Sequence, residues 1–115
     1  MSSDPKRSEI WLVRLDPAVG SEIKKTRPAF IISNDVNNQY ASLVTVLPIS
    51  DRGLEVYPFE VAVSGENTGL FKPSKIKCQQ VRTIDKEHLV KRLGVVAKGL
   101  LPDIVGALKL HQGID

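Results

Sequence analysis

Residues 20–33, GSEIKKTRPAFIIS, constrain this chain more than any other stretch. Lys24, Lys25 and Arg27 crowd into a polar loop that runs through Pro28 into the apolar residues Ala29, Phe30, Ile31 and Ile32. A proline disfavours helical backbone in the residue before it, so Arg27 is extended and cannot continue a helix. Pro28 lacks an N–H and suits the first residue of a strand. A guanidinium is therefore held at the boundary between a basic loop and a rigid strand. Taken alone, such a loop reads as solvated surface.

A chain of 115 residues can build one core but hardly two. We expect a single domain over residues 9–112, preceded by a disordered tail at residues 1–8. Hydrophobic content of 42% and charged content of 25% place the chain among soluble globular proteins. No apolar run approaches the roughly 18 residues of a membrane span, and MSSDPKR lacks the apolar centre of a signal peptide. The lone cysteine, Cys78, precludes an internal disulfide and suits a reducing cytoplasm. His88 and His111 sit far apart, and no Cys/His/Asp/Glu cluster has zinc-like spacing, so neither metal nor cofactor is expected.

Net charge is only +3, but its distribution is uneven. From 28 to 70 there are five acids and one base, Arg52. From 71 to 92 there are seven bases (Lys72, Lys75, Lys77, Arg82, Lys86, Lys91, Arg92) and two acids. With Lys24, Lys25 and Arg27 this makes two basic segments flanking an acidic one. Brought together, they would form a positive surface suited to a polyanion.

Strands are expected at 9–15, where EIWLVRL is rich in β-formers, and at 29–33 and 43–49. Pro48 argues for an edge or bulge near the end of the third. Further strands are read at 57–63 and 74–80, from the alternation of YPFEVAV and SKIKCQQ, and a last one at 93–97. NDVNNQ favours turns or a short helical turn. Asp85 can cap a short helix within 84–90. Leu101, Ile104, Val105 and Leu108 form the stripe of a final amphipathic helix, with Pro102 in its first turn and Gly113 at its stop. The pattern is mainly β: five or six short antiparallel strands curled like a small barrel, and a terminal helix.

EIWLVRLDPAVGSEIKKTRPAFIIS, VTVLPIS and CQQVRTIDKEHL, in that order and spacing, resemble the MazF/PemK (Kid) toxins. The resemblance covers roughly residues 9–110. It implies an SH3-like antiparallel barrel with short helical insertions and a C-terminal helix, of the MazF/PemK/CcdB kind, paired as a homodimer. The implied activity is that of a toxin of a type II toxin–antitoxin system, a sequence-selective endoribonuclease cutting single-stranded mRNA without metal. The implied partner is an antitoxin whose extended C-terminal segment covers the RNA groove. A CcdB-like toxin, which poisons a topoisomerase by contact and cleaves nothing, is the alternative.

Residue by residue, Arg27 falls on the family's catalytic arginine and Ser50 where many members have threonine. Lys77 matches a basic position of the family's R-C-D-Q pattern, and Gln79 replaces its aspartate. Ser21 replaces a histidine of the PemK-like branch, while Ser21-Glu22 matches the Ser-Glu of MazF-like members. The chain is thus nearer an arginine-plus-hydroxyl variety. Catalysis is expected of Arg27 and Ser50, and RNA binding of Ser21, Glu22, Lys24, Lys25, Lys77 and Gln79.

The implied reaction is attack of a ribose 2′-OH on its own phosphate. The nucleophile is in the substrate, so the protein must orient it, move protons and stabilise charge. Arg27 can meet the extra negative charge with a planar fork of donors and stays protonated. Blander readings stand beside several of these residues. Ser50 alone would be a turn hydroxyl, Trp11 core or dimer interface, Cys78 a small buried apolar residue, and His88 a surface histidine.

Overall fold

The computed structural model describes residues 4–15, 26–53 and 55–115. Among them run strands β1 (Glu9–Arg14), β2 (Thr26–Ile31), β3 (Leu43–Asp51), β4 (Glu60–Val63), β5 (Ser74–Lys77), β6 (Arg82–Asp85) and β7 (Leu89–Val95). Helix α1 (Asp35–Tyr40) follows β2, and α2 (Leu101–Gln112) ends the chain. All pairings are antiparallel, in the order β4-β5-β3-β2-β1-β7, with β6 also beside β3. The sheet therefore curls without closing: β4 and β7 end the row and do not pair among the described residues.

β3 is the hub. Its residues Leu43, Val44, Thr45 and Val46 pair with β6, Val46, Leu47 and Pro48 with β2, and Ile49, Ser50 and Asp51 with β5. Both faces of the central strands are covered. Phe30, Leu47, Ile49 and Ile76 meet Ile104 and Ala107 of α2, while Val13, Ala29, Ile31, Val44, Val46 and Ile84 fill a second cluster. Successive strand residues point to opposite faces, so an unbroken Ala-Phe-Ile is what a strand with two buried faces needs.

The terminal helix matches its expectation. Ile104 is fully buried, Leu101, Val105 and Leu108 pack against the same cluster, and Gly113 ends the helix at φ +71°. Asp85 caps a 3₁₀ turn at Lys86–His88 by accepting from the Glu87 amide at 2.9 Å. Other boundaries differ. β2 begins at Thr26, so Pro28 is its third residue, not its first. β4 begins at Glu60, because Pro58 and Phe59 lie in a turn. Residues 82–85 form a strand, so the helix expected within 84–90 is confined to the turn at 86–88. What holds them is β3, with the Thr45 and Thr83 hydroxyls 2.8 Å apart across the pair.

Residues 4–8, expected to be disordered, are fastened down. The Ser8 amide donates to the Ile31 carbonyl at 3.0 Å, and its carbonyl accepts from Val96 at 2.9 Å. Asp4 pairs with Lys86 at 3.3 Å. No helix is long and apolar enough to cross a membrane among the described residues.

Candidate active site

Two prolines open the site. The β2–β3 ladder runs Ile31–Val46, Phe30–Leu47, Ala29–Pro48 and stops there. Beyond that pair, β2 continues along β1 to Thr26, while β3 crosses over to β5 and runs to Asp51. Pro28 and Pro48 offer no N–H to extend the ladder. Arg27 and Ser50 lie just past the break. The same register carried two residues further would set them opposite each other.

They line one open cleft of about 580 Å³. Its floor is apolar, from Leu12, Pro28, Ile49, Leu70 and Leu93, and its rim carries Arg27, Lys72 and Lys91 with, among the described residues, the single acid Asp51. The exposed Asp51 and Lys72 side chains meet at 3.0 Å. The Arg27 side chain is exposed and has no hydrogen bond or ion pair to the described residues. The Ser50 hydroxyl has only a long 3.4 Å contact to the neighbouring Asp51 carbonyl. Both side chains are available to a ligand. Among the described residues there is no cluster of three His, Cys, Asp or Glu that could hold a metal.

Lys77 and Gln79 lie outside this cleft. On β5 the residue paired with Ser50 is Lys75, so Lys75, not Lys77, stands beside the hydroxyl. Alternation puts Lys77 on the same face one step further, paired with Glu60 of β4. Gln79 sits on the 3₁₀ turn Cys78–Gln80; its Nε2 donates to Glu60 Oε2 at 2.6 Å, while its buried Oε1 has no partner among the described residues. Ser21, Glu22, Lys24 and Lys25 fall outside the described residues, in the segment that leaves β1 and returns one residue before Arg27.

Alternation with Phe59, Val61 and Val63 assigns Glu60 to the outward face of its strand, yet it is 5% exposed. Its carboxylate accepts from Gln79, from the Tyr57 amide at 3.1 Å and from Lys75 Nζ at 3.1 Å. Burial pushes this carboxyl up, but the three donors and the Lys75 charge outweigh it and hold the group below its ordinary range. Lys75 also donates to the Glu55 carbonyl at 3.0 Å and lies over the Tyr57 ring. The pair thus fixes the side chain of Lys75, the residue paired with Ser50 across β3 and β5.

Cys78 is fully buried, and burial, aided by the Glu60 charge, pushes its thiol up to about 11, so it is no nucleophile. Trp11 packs against the second cluster and donates to Glu9 at 2.9 Å, as a core residue should. His88 is only half-exposed; its Nδ1 lies 3.0 Å from the Arg14 carbonyl. Lys72 and Lys91 were visible only as members of a basic segment, since nothing local says they share a cleft with Arg27.

A family model described as PemK-like, MazF-like toxin of type II toxin–antitoxin system matches residues 6–111. The chain is 41% identical over 111 residues to the endoribonuclease MazF9 of Mycobacterium tuberculosis, covering 92% of this chain and 94% of that one. It is 36% identical over 107 residues to the endoribonuclease PemK of Escherichia coli, covering 92% and 80%. A solved mycobacterial endoribonuclease in complex with its cognate antitoxin shares the fold, with a TM-score of 0.79 at 21% identity, over 96% of this chain and 97% of that one. The matches run through both strands of the cleft and nearly the whole sequence, and the chain accordingly belongs to the PemK-like, MazF-like toxins of type II toxin–antitoxin systems.

Proposed function

We propose that this toxin is a sequence-selective endoribonuclease that cuts single-stranded mRNA without a metal ion, leaving a 2′,3′-cyclic phosphate and a 5′-OH. What carries the reading is the placing of Arg27 and Ser50 in one cleft, at the point where two prolines part β2 from β3. The 2′-OH attacks the adjacent phosphorus, the P–O5′ bond breaks, and negative charge grows on the non-bridging oxygens. Arg27 meets that charge with a fork of donors, and Ser50 gives one further hydrogen bond. Lys72 and Lys91 hold neighbouring phosphates on the rim, and Lys77 extends the positive face along β5. Ser21, Glu22, Lys24 and Lys25 contact RNA from the segment that leads into Arg27. Gln79, through its bond to Glu60, steadies the carboxylate that holds Lys75. That the relatives named above are endoribonucleases supports this assignment.

The test is incubation of the purified protein with a long RNA in excess EDTA, with the fragment ends analysed. Cleavage with cyclic-phosphate ends is expected, and DNA of the same sequence should survive for want of a 2′-OH. Cleavage that required added Mg²⁺ would overturn the metal-free mechanism. Absence of cleavage on any RNA would leave the CcdB-like reading in its place.

The toxin acts in the cytoplasm as a homodimer, and an acidic antitoxin segment occupies the cleft in place of RNA. Both ligands are extended polyanions, and an antitoxin-bound relative of the same fold supports the pairing. Light scattering should give a dimer for the free protein, and the antitoxin segment should compete with RNA for it. A monomer, or antitoxin binding that left cleavage untouched, would refute this arrangement.

A further inference from the structure

Phe71 is the most exposed large apolar side chain among the described residues, fully open at 105% of its reference area. Its loop is nevertheless pinned on both sides. Before it, Leu70 packs against the core, and its amide donates to the buried Thr68 hydroxyl at 3.1 Å. Gly69, at φ +77°, lies so close to β7 that a Cβ there would strike the Leu93 backbone. After it, Lys72 pairs with Asp51 and the Pro73 carbonyl accepts from the Arg52 amide at 3.2 Å. The Ser74 hydroxyl donates to the Lys72 carbonyl at 3.0 Å. The backbone is fixed while the phenyl ring packs against none of the described residues.

That ring lines the same cleft as Arg27, Ser50, Lys72 and Lys91. A flat apolar face set among three cations fits a ligand that is anionic along its backbone and aromatic along its side, which is single-stranded nucleic acid. In-line attack by a 2′-OH also needs the nucleotides around the scissile phosphate splayed apart. A base drawn out of its stack loses a neighbour that an exposed phenyl can replace. We infer that Phe71 is the platform on which a base flanking the scissile phosphate stacks, and that it thereby sets part of the cut-site preference. This rests on the ribonuclease reading above and moves the source of selectivity to the 69–73 loop.

The test uses the full chain and a single-stranded RNA whose cut site has been mapped with the wild type. Phe71→Ala and Phe71→Leu should raise KM by about 10- to 100-fold and flatten the distribution of cuts among sites. Phe71→Trp should keep both, and its fluorescence, above the Trp11 background of the unsubstituted chain, should be quenched as RNA is added. Wild-type behaviour of Phe71→Ala would overturn the inference and spare the ribonuclease. Full rescue by Leu would also overturn it, because an aliphatic side chain packs but does not stack. A fall in oligomer mass for Phe71→Ala, read by light scattering, would assign the ring to a second copy of the chain and refute the platform. If the wild type cleaves no RNA, the ribonuclease reading falls first and takes this inference with it.

Discussion

Arg27→Ala should lower single-turnover RNA cleavage by on the order of 10³-fold, with the fold untouched. The side chain is exposed and bonded to no described residue, so its loss removes nothing from the core. What it removes is the one permanently charged donor fork at the break in the β2–β3 ladder. Arg27→Lys should rescue little, because an ammonium cannot present two parallel donors to one phosphate. Ser50→Ala should cost about 10²–10³-fold, as for a lost donor to developing charge, and Ser50→Thr should retain activity. Threonine adds only a methyl that restricts χ1. Melting curves and circular dichroism of all four variants should overlay the wild type. Cleavage by Ser50→Ala at the wild-type rate would reduce that residue to the end of a strand.

Glu60→Ala should have the largest effect on stability, about 3–5 kcal/mol, or roughly 10–20 °C in Tm for a domain of this size. It would strand Lys75, whose side chain is 13% exposed, together with the Gln79 and Tyr57 donors. Glu60→Gln, which keeps the shape and loses the charge, should cost less. The pH dependence has a definite sign. Because the folded carboxyl lies below its ordinary value of 4.5, its contribution is complete above that value and is lost as pH falls through the lower, folded one. Urea titrations below pH 4.5 should therefore show the wild type losing stability more steeply than Glu60→Gln. Parallel slopes would mean that Glu60 is not the carboxylate held by Lys75. Releasing Lys75 beside Ser50 should also disturb cleavage, although neither Glu60 nor Lys75 lines the cleft.

The legible parts of this fold were those decided within a few residues. The stripe of α2, the Asp85 cap and the extended Arg27 before Pro28 each follow from local spacing or backbone restriction. Strand 82–85 is not expected from the sequence because Arg-Thr-Ile-Asp has no signature of its own, and its identity comes from β3, some 40 positions away. The break between β2 and β3 is likewise non-local, since its two prolines stand 20 positions apart. Pro28 and Pro48 are each ordinary in a sequence, and only the register that sets Pro48 opposite Ala29 brings both to one break. Lys77 was favoured over Lys75 because motif position was known and cross-strand register was not. Glu60 looked solvated because alternation assigns a face and says nothing of what covers it. Nothing local marks Phe71, since a phenylalanine in a loop is expected to tuck inward.

The central claim is that the substrate's own 2′-OH is the nucleophile and that the Arg27–Ser50 cleft stabilises its attack. The most direct measurement replaces one ribose at a mapped cut site with 2′-deoxyribose, leaving the rest of the RNA unchanged. The account predicts unchanged binding and no cleavage at that bond, with neighbouring sites still cut. Cleavage at the deoxy position would show that water or a protein group attacks the phosphorus, and would contradict it.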